Sequence, residues 1–458
     1  MDPAEWDCVV PSRCHDSGGM LLWLYRLFFL PALVVLGPGY LRRMRRRGGY
    51  RSDFGHRFGA HPALPKQPGS PRIWLQAVSV GEMLAIGPIL EALRKADVEV
   101  YLTTTTSTGY RLANDRYRGL TVGIGYFPID WWPFSARTWR RVAPDLVILT
   151  EGERWPEHLA QARARGVPVL CVNARLSDRS FSRLRMLGRA ARPMVDGVTR
   201  YLVASSEDAS RFRDLGVPAA RIVVTGNIKL DIRIPRLDER ERAELRRALG
   251  LPPTGLVLLG SSTWPGEEDA LVAAYKHARD SGISVSLLLV PRHAERRAEL
   301  ERMLSAAGVR FHLRSRGTAP AEVAVAVGDT TGELRNFTQL ADVVFVGKSL
   351  APHTEGQTPV EAAALEKPIL FGPGMANFRV IARDLVARGA ALEVVDAAGL
   401  ALASGKLLQD AAARAKLAAA AAAWRQENAG AVERTLEHIH AELAAWRLRS
   451  GPAYPVPG

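Results

Sequence analysis

The chain has 458 residues, 47% apolar and 24% charged, with a formal net charge of +14. That is long enough for two domains with a core each, and a globular composition. Cys8, Cys14 and Cys171 make no disulfide framework and no metal-ligand spacing, which argues against zinc-finger and iron–sulfur classes and fits a reducing compartment. The positive charge concerns partners rather than fold: phosphates, nucleotides, anionic lipid headgroups and nucleic acid are all admissible.

Residues 1–19 read as a polar tail. Residues 20–37, "MLLWLYRLFFLPALVVLG", are apolar apart from Arg26, and "LRRMRRRGGYR" follows at 41–51. The apolar length just suffices to span a bilayer. Arg26 and Pro31 disfavour a span, although an arginine can snorkel. A signal peptide has its charge before the apolar run and a small-residue cleavage site after it. Here the basic cluster comes after, so 20–50 is expected to be an uncleaved anchor with a basic segment. The positive-inside rule then puts the body on the cytoplasmic side, with the cluster on anionic headgroups. Whether the segment crosses the bilayer or lies in its surface stays open, as does a start at Met20.

From about residue 71 strands and helices alternate. The first set of strands is "RIWLQAV", "VEVYLTTTT", "TVGIGYFPI", "DLVILTE", "VPVLCVNA", "RYLVAS" and "IVVTGN". A charged stretch, "RLDERERAELRRAL", interrupts the pattern. It restarts as "LVLLGSS", "VSLLLVP", "FHLRS", "EVAVAVGD", "DVVFVGK", "KPILFGP" and "ALEVVDA". The expected class is α/β, with two doubly wound parallel sheets facing a cleft. The boundaries are 51–232 for the first domain, 233–240 for a linker, 241–430 for the second domain and 431–458 for a C-terminal helix and tail. The Ala-rich C-terminus is strongly helix-forming and receives no catalytic role.

Several strand ends carry chemistry. In "LQAVSVGEMLAIGPILEAL" (75–93) a buried strand is broken near Gly81, and Glu82 sits at the corner where a helix begins. It is either a helix-start residue or a general base. "LTEGERWPEHL" (149–159) brings Glu151 and Glu153 to a strand end before Pro156, which suits a helix start. "GNIKLD" (226–231) presents Lys229. "VPRHAER" puts Arg292 just after a strand, to clamp a phosphate or to make an ordinary surface ion pair. In "VGDTTGELRNF", Thr330 and Thr331 can cap a helix whose free amides suit a phosphate. In "QTPVEAAALEKPILFGP", Glu361 suits a ribose diol, or merely a helix dipole. "VFVGKSL" is no Walker A loop, because Asp342 stands where that loop needs glycine. No nucleic-acid module accompanies the charge, so nucleic acid is not an expected partner.

Read in order, "VSVGE", "TTTTSTG", "EGERWP", "NARLSDRS", "GNIKLD", "SSTWPGEE", "VPRHAER", "GDTTGEL" and "EAAALEKPILFGP" resemble the 3-deoxy-D-manno-octulosonic acid (Kdo) transferases of lipopolysaccharide synthesis. The N-terminal anchor and basic segment fit as well. The resemblance implies a GT-B glycosyltransferase, two Rossmann-like domains with an N-terminal membrane-anchor helix, at the cytoplasmic face of the inner membrane. It implies inverting transfer of Kdo from CMP-Kdo to a lipid A precursor (lipid IVA), with no cofactor and no metal. Anionic inner-membrane lipids are the further partner. By that pattern Glu82 is the base, which a helix start would favour in its ionised form, and Glu151 and Lys229 assist the transition state. Pro291, Arg292, Thr331, Gly332, Glu333, Thr358, Pro359, Val360 and Glu361 fall at the CMP-binding motifs. The chain departs from the pattern at Gln76, Trp264, Gln357 and Thr358, where the family usually has His, His, His and Asn. "SLAPHTEGQ" also carries an extra residue. These four positions are expected in ligand-facing loops, where they would alter donor, acceptor or number of sugars added. The alternative is a GT-B transferase with another nucleotide sugar or glycolipid acceptor.

Overall fold

The computed structural model describes residues 17–46 and 52–450. Most of the expected polar tail, including Cys8 and Cys14, and the end of the basic cluster lie outside the described residues. Two compact units emerge: residues 1–229 with 430–458, and residues 230–429.

The first unit is built on seven parallel strands: β1 (Arg72–Gln76), β2 (Glu99–Thr104), β3 (Gly123–Tyr126), β4 (Leu146–Thr150), β5 (Val169–Ala174), β6 (Arg200–Val203) and β7 (Ile222–Val224). Their order is β3-β2-β1-β4-β5-β6-β7. Ile73 of β1 pairs with Val100 on one side and Leu146 on the other. A parallel sheet needs helices on both faces, so its central strands bury every residue; β1, β2, β4 and β5 do so throughout. Trp74, Phe127, Trp139, Leu159 and Tyr201 pack on one face. Ile73, Leu75, Met83, Ile89 and Leu102 pack on the other. Arg72, at the start of β1, brings a charge into this interior. The Arg72 guanidinium donates to Glu99 (2.8 Å) and to the carbonyls of Leu64, Val142 and Pro65, so its burial leaves donors satisfied.

The second unit repeats the plan with β8 (Leu256–Thr263), β9 (Val285–Pro291), β10 (Phe311–Leu313), β11 (Val325–Val327), β12 (Val343–Val346), β13 (Ile369–Phe371) and β14 (Ala391–Glu393). The order is β10-β11-β9-β8-β12-β13-β14, again parallel throughout. All fourteen strands fall on the fourteen runs read from the sequence.

The C-terminal Ala-rich stretch is two helices, Ala411–Asn428 and Ala431–Ser450, parted at Gly430 (φ 77°). The first belongs to the second unit. The second returns to the first unit, where Ile439 and Leu443 join the core beside Ile73 and Arg434 donates to the Thr225 carbonyl (2.9 Å). The N-terminal helix, Ser17–Arg46, bends by 50° between Gly19–Phe29 and Pro31–Gly39. Among the described residues no single helix is long and apolar enough to cross a membrane, though this bent pair together meets the length and composition.

Candidate active site

In open α/β sheets the strand order reverses at one point, and loops leaving the two strands there diverge to opposite faces, opening a crevice at their carboxyl ends. In the first unit that point lies between β1 and β4; in the second, between β8 and β12.

Glu82 follows β1. The helix is Val80–Ala85, so Gly81 lies inside its first turn and the strand ends earlier, at Gln76. Ser79 is the N-cap: its hydroxyl oxygen accepts from the Glu82 amide (3.2 Å), as a serine before a helix does. The Glu82 carboxylate answers in kind. Oε1 accepts from the Ser79 hydroxyl (2.8 Å); Oε2 accepts from the Val78 amide (3.0 Å) and from the Thr150 hydroxyl (2.5 Å) at the end of β4. Cap and strand end together fix this carboxylate at the switch point. It is 8% exposed, and Oε1, with one donor, retains a lone pair for another.

Glu151 follows β4 in the left-handed region (φ 54°), as does Asn173 at the end of β5 (φ 54°). Such backbone costs on the order of 1 kcal/mol or more per non-glycine residue and gathers at working sites. Asn173 donates through Nδ2 to Glu151 (3.2 Å) and accepts through Oδ1 from the Ile228 amide (3.2 Å). That holds the segment bearing Lys229, whose ammonium is ion-paired with Glu151. The end of Lys229 also lies against Gly81: a β carbon there would stand 3.9 Å from Cε and Nζ. Glu82, Glu151 and Lys229, read from three separate motifs, thus come together around the ends of β1 and β4.

A fourth group joins them. Glu153 accepts from the Trp155 indole (2.8 Å). Burial pushes its carboxyl up to about 7, with the charges of Glu82 and Glu151 adding to the rise and the Trp155 hydrogen bond opposing it. Sequence reading noticed Glu153 without assigning it a place. Thr150 and Asn173 were missed; an asparagine at a strand end, tolerant of left-handed backbone, was the available signal for the latter.

In the second unit, Glu267 organises the switch point. Its buried carboxylate accepts from four backbone amides: Trp264 (3.0 Å), Lys348 (2.7 Å), Ser349 (2.8 Å) and Leu350 (3.1 Å). It thereby joins the loop after β8 to the loop after β12. Ser262 (φ 55°) and Lys348 (φ 59°) are left-handed here, matching the strand ends of the first unit. In the sequence Glu267 is only one letter of the motif "SSTWPGEE"; nothing local signals an acid that binds amides eighty residues away. Trp264 is clamped by His293 and His353, with the Lys348 ammonium 4.2 Å from its ring centre.

Pro291 ends β9 and is buried; Arg292 follows it, exposed, its guanidinium without a hydrogen-bond or ion-pair partner among the described residues. Thr331 and Gly332 are exposed, and Gly332 is left-handed (φ 92°). The expected caps from Thr330 and Thr331 do not form. The helix begins later, at Leu334, with Glu333 in the N-cap place, and the Thr330 hydroxyl donates to the Glu333 carboxylate instead. Arg314 also reaches Glu333 (3.2 Å). Thr358 and Pro359 lead into the helix Val360–Ala364, where the Thr358 hydroxyl accepts from the Val360 amide (3.3 Å). Arg335 donates to Glu361 (2.8 Å), joining the Thr331–Glu333 and Thr358–Glu361 segments. Of the four departures, Trp264, Gln357 and Thr358 lie in loops. Gln76 does not: it closes β1, fully buried, and its Oε1 accepts from Thr103 (2.7 Å). Its alternation along a strand points it into the sheet's packing layer. Among the described residues no three His, Cys, Asp or Glu side chains gather as metal ligands.

Two parallel Rossmann-like units in one chain are the plan of the GT-B fold. Solved structures agree in fold: UDP-GlcNAc 2-epimerase from Neisseria meningitidis, bound to UDP-GlcNAc, is 12% identical with TM-score 0.52, and Anabaena Alr3699/HepE, in complex with UDP, is 16% identical with TM-score 0.51. Each match covers 82% of this chain and all of the other. A family described as 3-deoxy-D-manno-octulosonic-acid transferase matches residues 52–232. The 3-deoxy-D-manno-octulosonic acid transferase of Bordetella pertussis is 37% identical over 87% of this chain and 94% of its own. The chain belongs to the Kdo transferase family and is a glycosyltransferase.

Proposed function

We propose that this protein transfers Kdo from CMP-Kdo to a lipid A precursor of the lipid IVA kind, with inversion, at the cytoplasmic face of the inner membrane, and needs no metal. An acceptor hydroxyl attacks the anomeric carbon, the bond to the cytidylate oxygen breaks, and CMP leaves with the electron pair. Glu82 takes the hydroxyl proton, a contribution of about 10²–10⁴ in rate. Glu151 and Lys229 hold the reacting groups in place and offset charge as it shifts. Arg292, with the backbone amides of Gly332 and Glu333, receives the growing charge on the departing phosphate. Pro291, Thr331 and the Thr358–Glu361 segment shape the cytidine site.

The observation that carries this reading is the gathering of Glu82, Glu151 and Lys229 at the β1/β4 switch point, in a member of a Kdo transferase family. A second reading, a different CMP- or UDP-sugar, draws on Trp264, whose clamped ring occupies the loop after β8. A mass-resolved assay decides. Purified protein is offered CMP-Kdo or UDP-sugars with a tetraacylated disaccharide lipid, and the product lipid is weighed. Addition of Kdo mass from CMP-Kdo, abolished in Glu82→Gln, is the expected result. Turnover only with UDP-sugars, or undiminished turnover in Glu82→Gln, would overturn it.

A further inference from the structure

Arg26 sits in the middle of an apolar run, and the structure gives it a partner. Its guanidinium binds the Glu157 carboxylate with Nε at 2.7 Å and the second nitrogen at 3.1 Å, and the acid is wholly buried in the first unit. One residue earlier, the Tyr25 hydroxyl donates to buried Asp130 (2.6 Å). Asp130 in turn accepts from the amides of Glu157 and His158 (3.2 and 3.0 Å), capping the helix Pro156–Ala164. That helix opens at Pro156, two residues beyond Arg154.

These contacts divide the N-terminal helix into two faces. Leu21, Leu22, Tyr25, Arg26 and Phe29 turn inward, half-buried. Met20, Trp23, Leu24, Leu27 and Phe28 turn outward and are 44–68% exposed; past the bend Val34, Val35 and Leu36 are 68–76% exposed. Water does not tolerate so long an apolar stripe without cost. The first arm, eleven residues or about 16 Å, is far short of the roughly 30 Å hydrocarbon core. A span would also carry Glu157, Asp130 and the folded unit around them into hydrocarbon.

The same flank of the unit carries charge. The N-terminal helix packs on the helix Arg192–Val195, which the turn Gly188–Ala191 connects to the helix Asp178–Leu187. Arg179, Arg183, Arg185, Arg189 and Arg192 are exposed along this stretch, beside exposed Met186 and Leu187. Arginines with interspersed apolar side chains match a surface of anionic headgroups.

We propose that the N-terminal helix lies in the plane of the membrane interface rather than across it. It is latched to the first unit by Tyr25–Asp130 and Arg26–Glu157, and its outer face joins the Arg179–Arg192 stretch as one docking surface for an anionic bilayer. The inference deepens the membrane part of the proposed function and rests on it. The latch also ties the bilayer-facing helix to the helix Pro156–Ala164, a few residues beyond Glu151 and Glu153, so the site keeps a fixed height above the lipid acceptor.

The test uses the full chain with Cys8→Ser and Cys14→Ser; Cys171 is buried and stays. Nitroxide labels at Met20→Cys, Leu24→Cys, Leu27→Cys and Val34→Cys are read for depth on phosphatidylethanolamine–phosphatidylglycerol vesicles. In-plane docking puts all four within about 5–10 Å of the headgroup boundary; a depth profile that passes through the bilayer midplane overturns the proposal. Adding Arg26→Ala is expected to spread the depths of the first three labels. If it leaves them unchanged, the latch is refuted. Arg183→Ser, Arg185→Ser and Arg189→Ser together should weaken binding on the order of 100-fold; equal binding, or tight binding to phosphatidylcholine alone, refutes the basic part of the surface. Label-to-label coupling from a dimer that leaves vesicles unbound would assign the face to a second copy instead. These depths do not depend on sugar transfer, so a failure of the CMP-Kdo reading would leave them readable.

Discussion

Replacing Glu153 by glutamine should stabilise the protein, by an amount that grows above pH 4.5 and is complete above about pH 7. The Glu153 carboxyl accepts one hydrogen bond, from the Trp155 indole, and faces the charges of Glu82 and Glu151. Its folded-state value, about 7, lies above the reference 4.5. Below pH 4.5 both folded and unfolded chains hold the proton, and the group has no effect. Between 4.5 and 7 the unfolded chain ionises first, so stability falls as pH rises; above 7 the loss is complete. At 1.36 kcal/mol per unit the shift corresponds to about 3 kcal/mol, and partial hydration of the site reduces the expected figure to about 2 kcal/mol. Glu153→Gln keeps an oxygen for the indole and removes the charge. Urea unfolding followed by tryptophan fluorescence, at pH 4.5 and pH 8.5, measures the effect. Parent and variant should coincide at pH 4.5, with the variant about 2 kcal/mol more stable at pH 8.5. A difference independent of pH, or a parent more stable at pH 8.5, would refute the electrostatic account of this cluster.

Lys229→Met removes the partner of Glu151 and the ammonium beside Gly81; kcat for sugar transfer should fall on the order of 10²-fold with the donor KM little changed, as steady-state kinetics would show. Glu267→Ala leaves four backbone amides without their acceptor and should cost about 4 kcal/mol in urea unfolding of the second unit. Gly347→Ala would place a β carbon 2.5 Å from the Ser262 carbonyl and 2.8 Å from the Thr263 Cα, both backbone, so the donor KM should rise and the melting temperature drop. Cys171 donates to the Glu151 carbonyl (3.2 Å), and burial pushes its thiol up to about 12; in the native protein it should resist a thiol reagent that labels it at once in urea.

The strands were legible because parallel strands covered on both faces read as unbroken aliphatic runs, as in "DLVIL" for β4 and "SLLLV" for β9. The corner at Glu82 was legible for a similar local reason: an unbroken apolar run gives way to apolar residues at helical spacing within a few residues, with Ser79 between. In the structure the same carboxylate closes the cap and stands at the switch point, which is the place the proposed base requires. Gln76 misled because a strand's last residue and a loop's first look alike in sequence. The caps expected at Thr330 and Thr331 failed because Glu333 took the Thr330 hydroxyl and the helix started beyond it.

By itself the sequence determined the two α/β repeats, the strand ends that carry acids and cations, and the family resemblance, because each of these is written in contiguous residues. Only the tertiary structure decided that Lys229 pairs with Glu151, that Glu267 spans two loops, that the last helix returns to the first unit, and that Arg26 has a buried partner. Those are meetings of residues from about 80 to more than 350 positions apart, and no local period or propensity encodes them. They follow from strand order and from the need of each buried charge to find its complement.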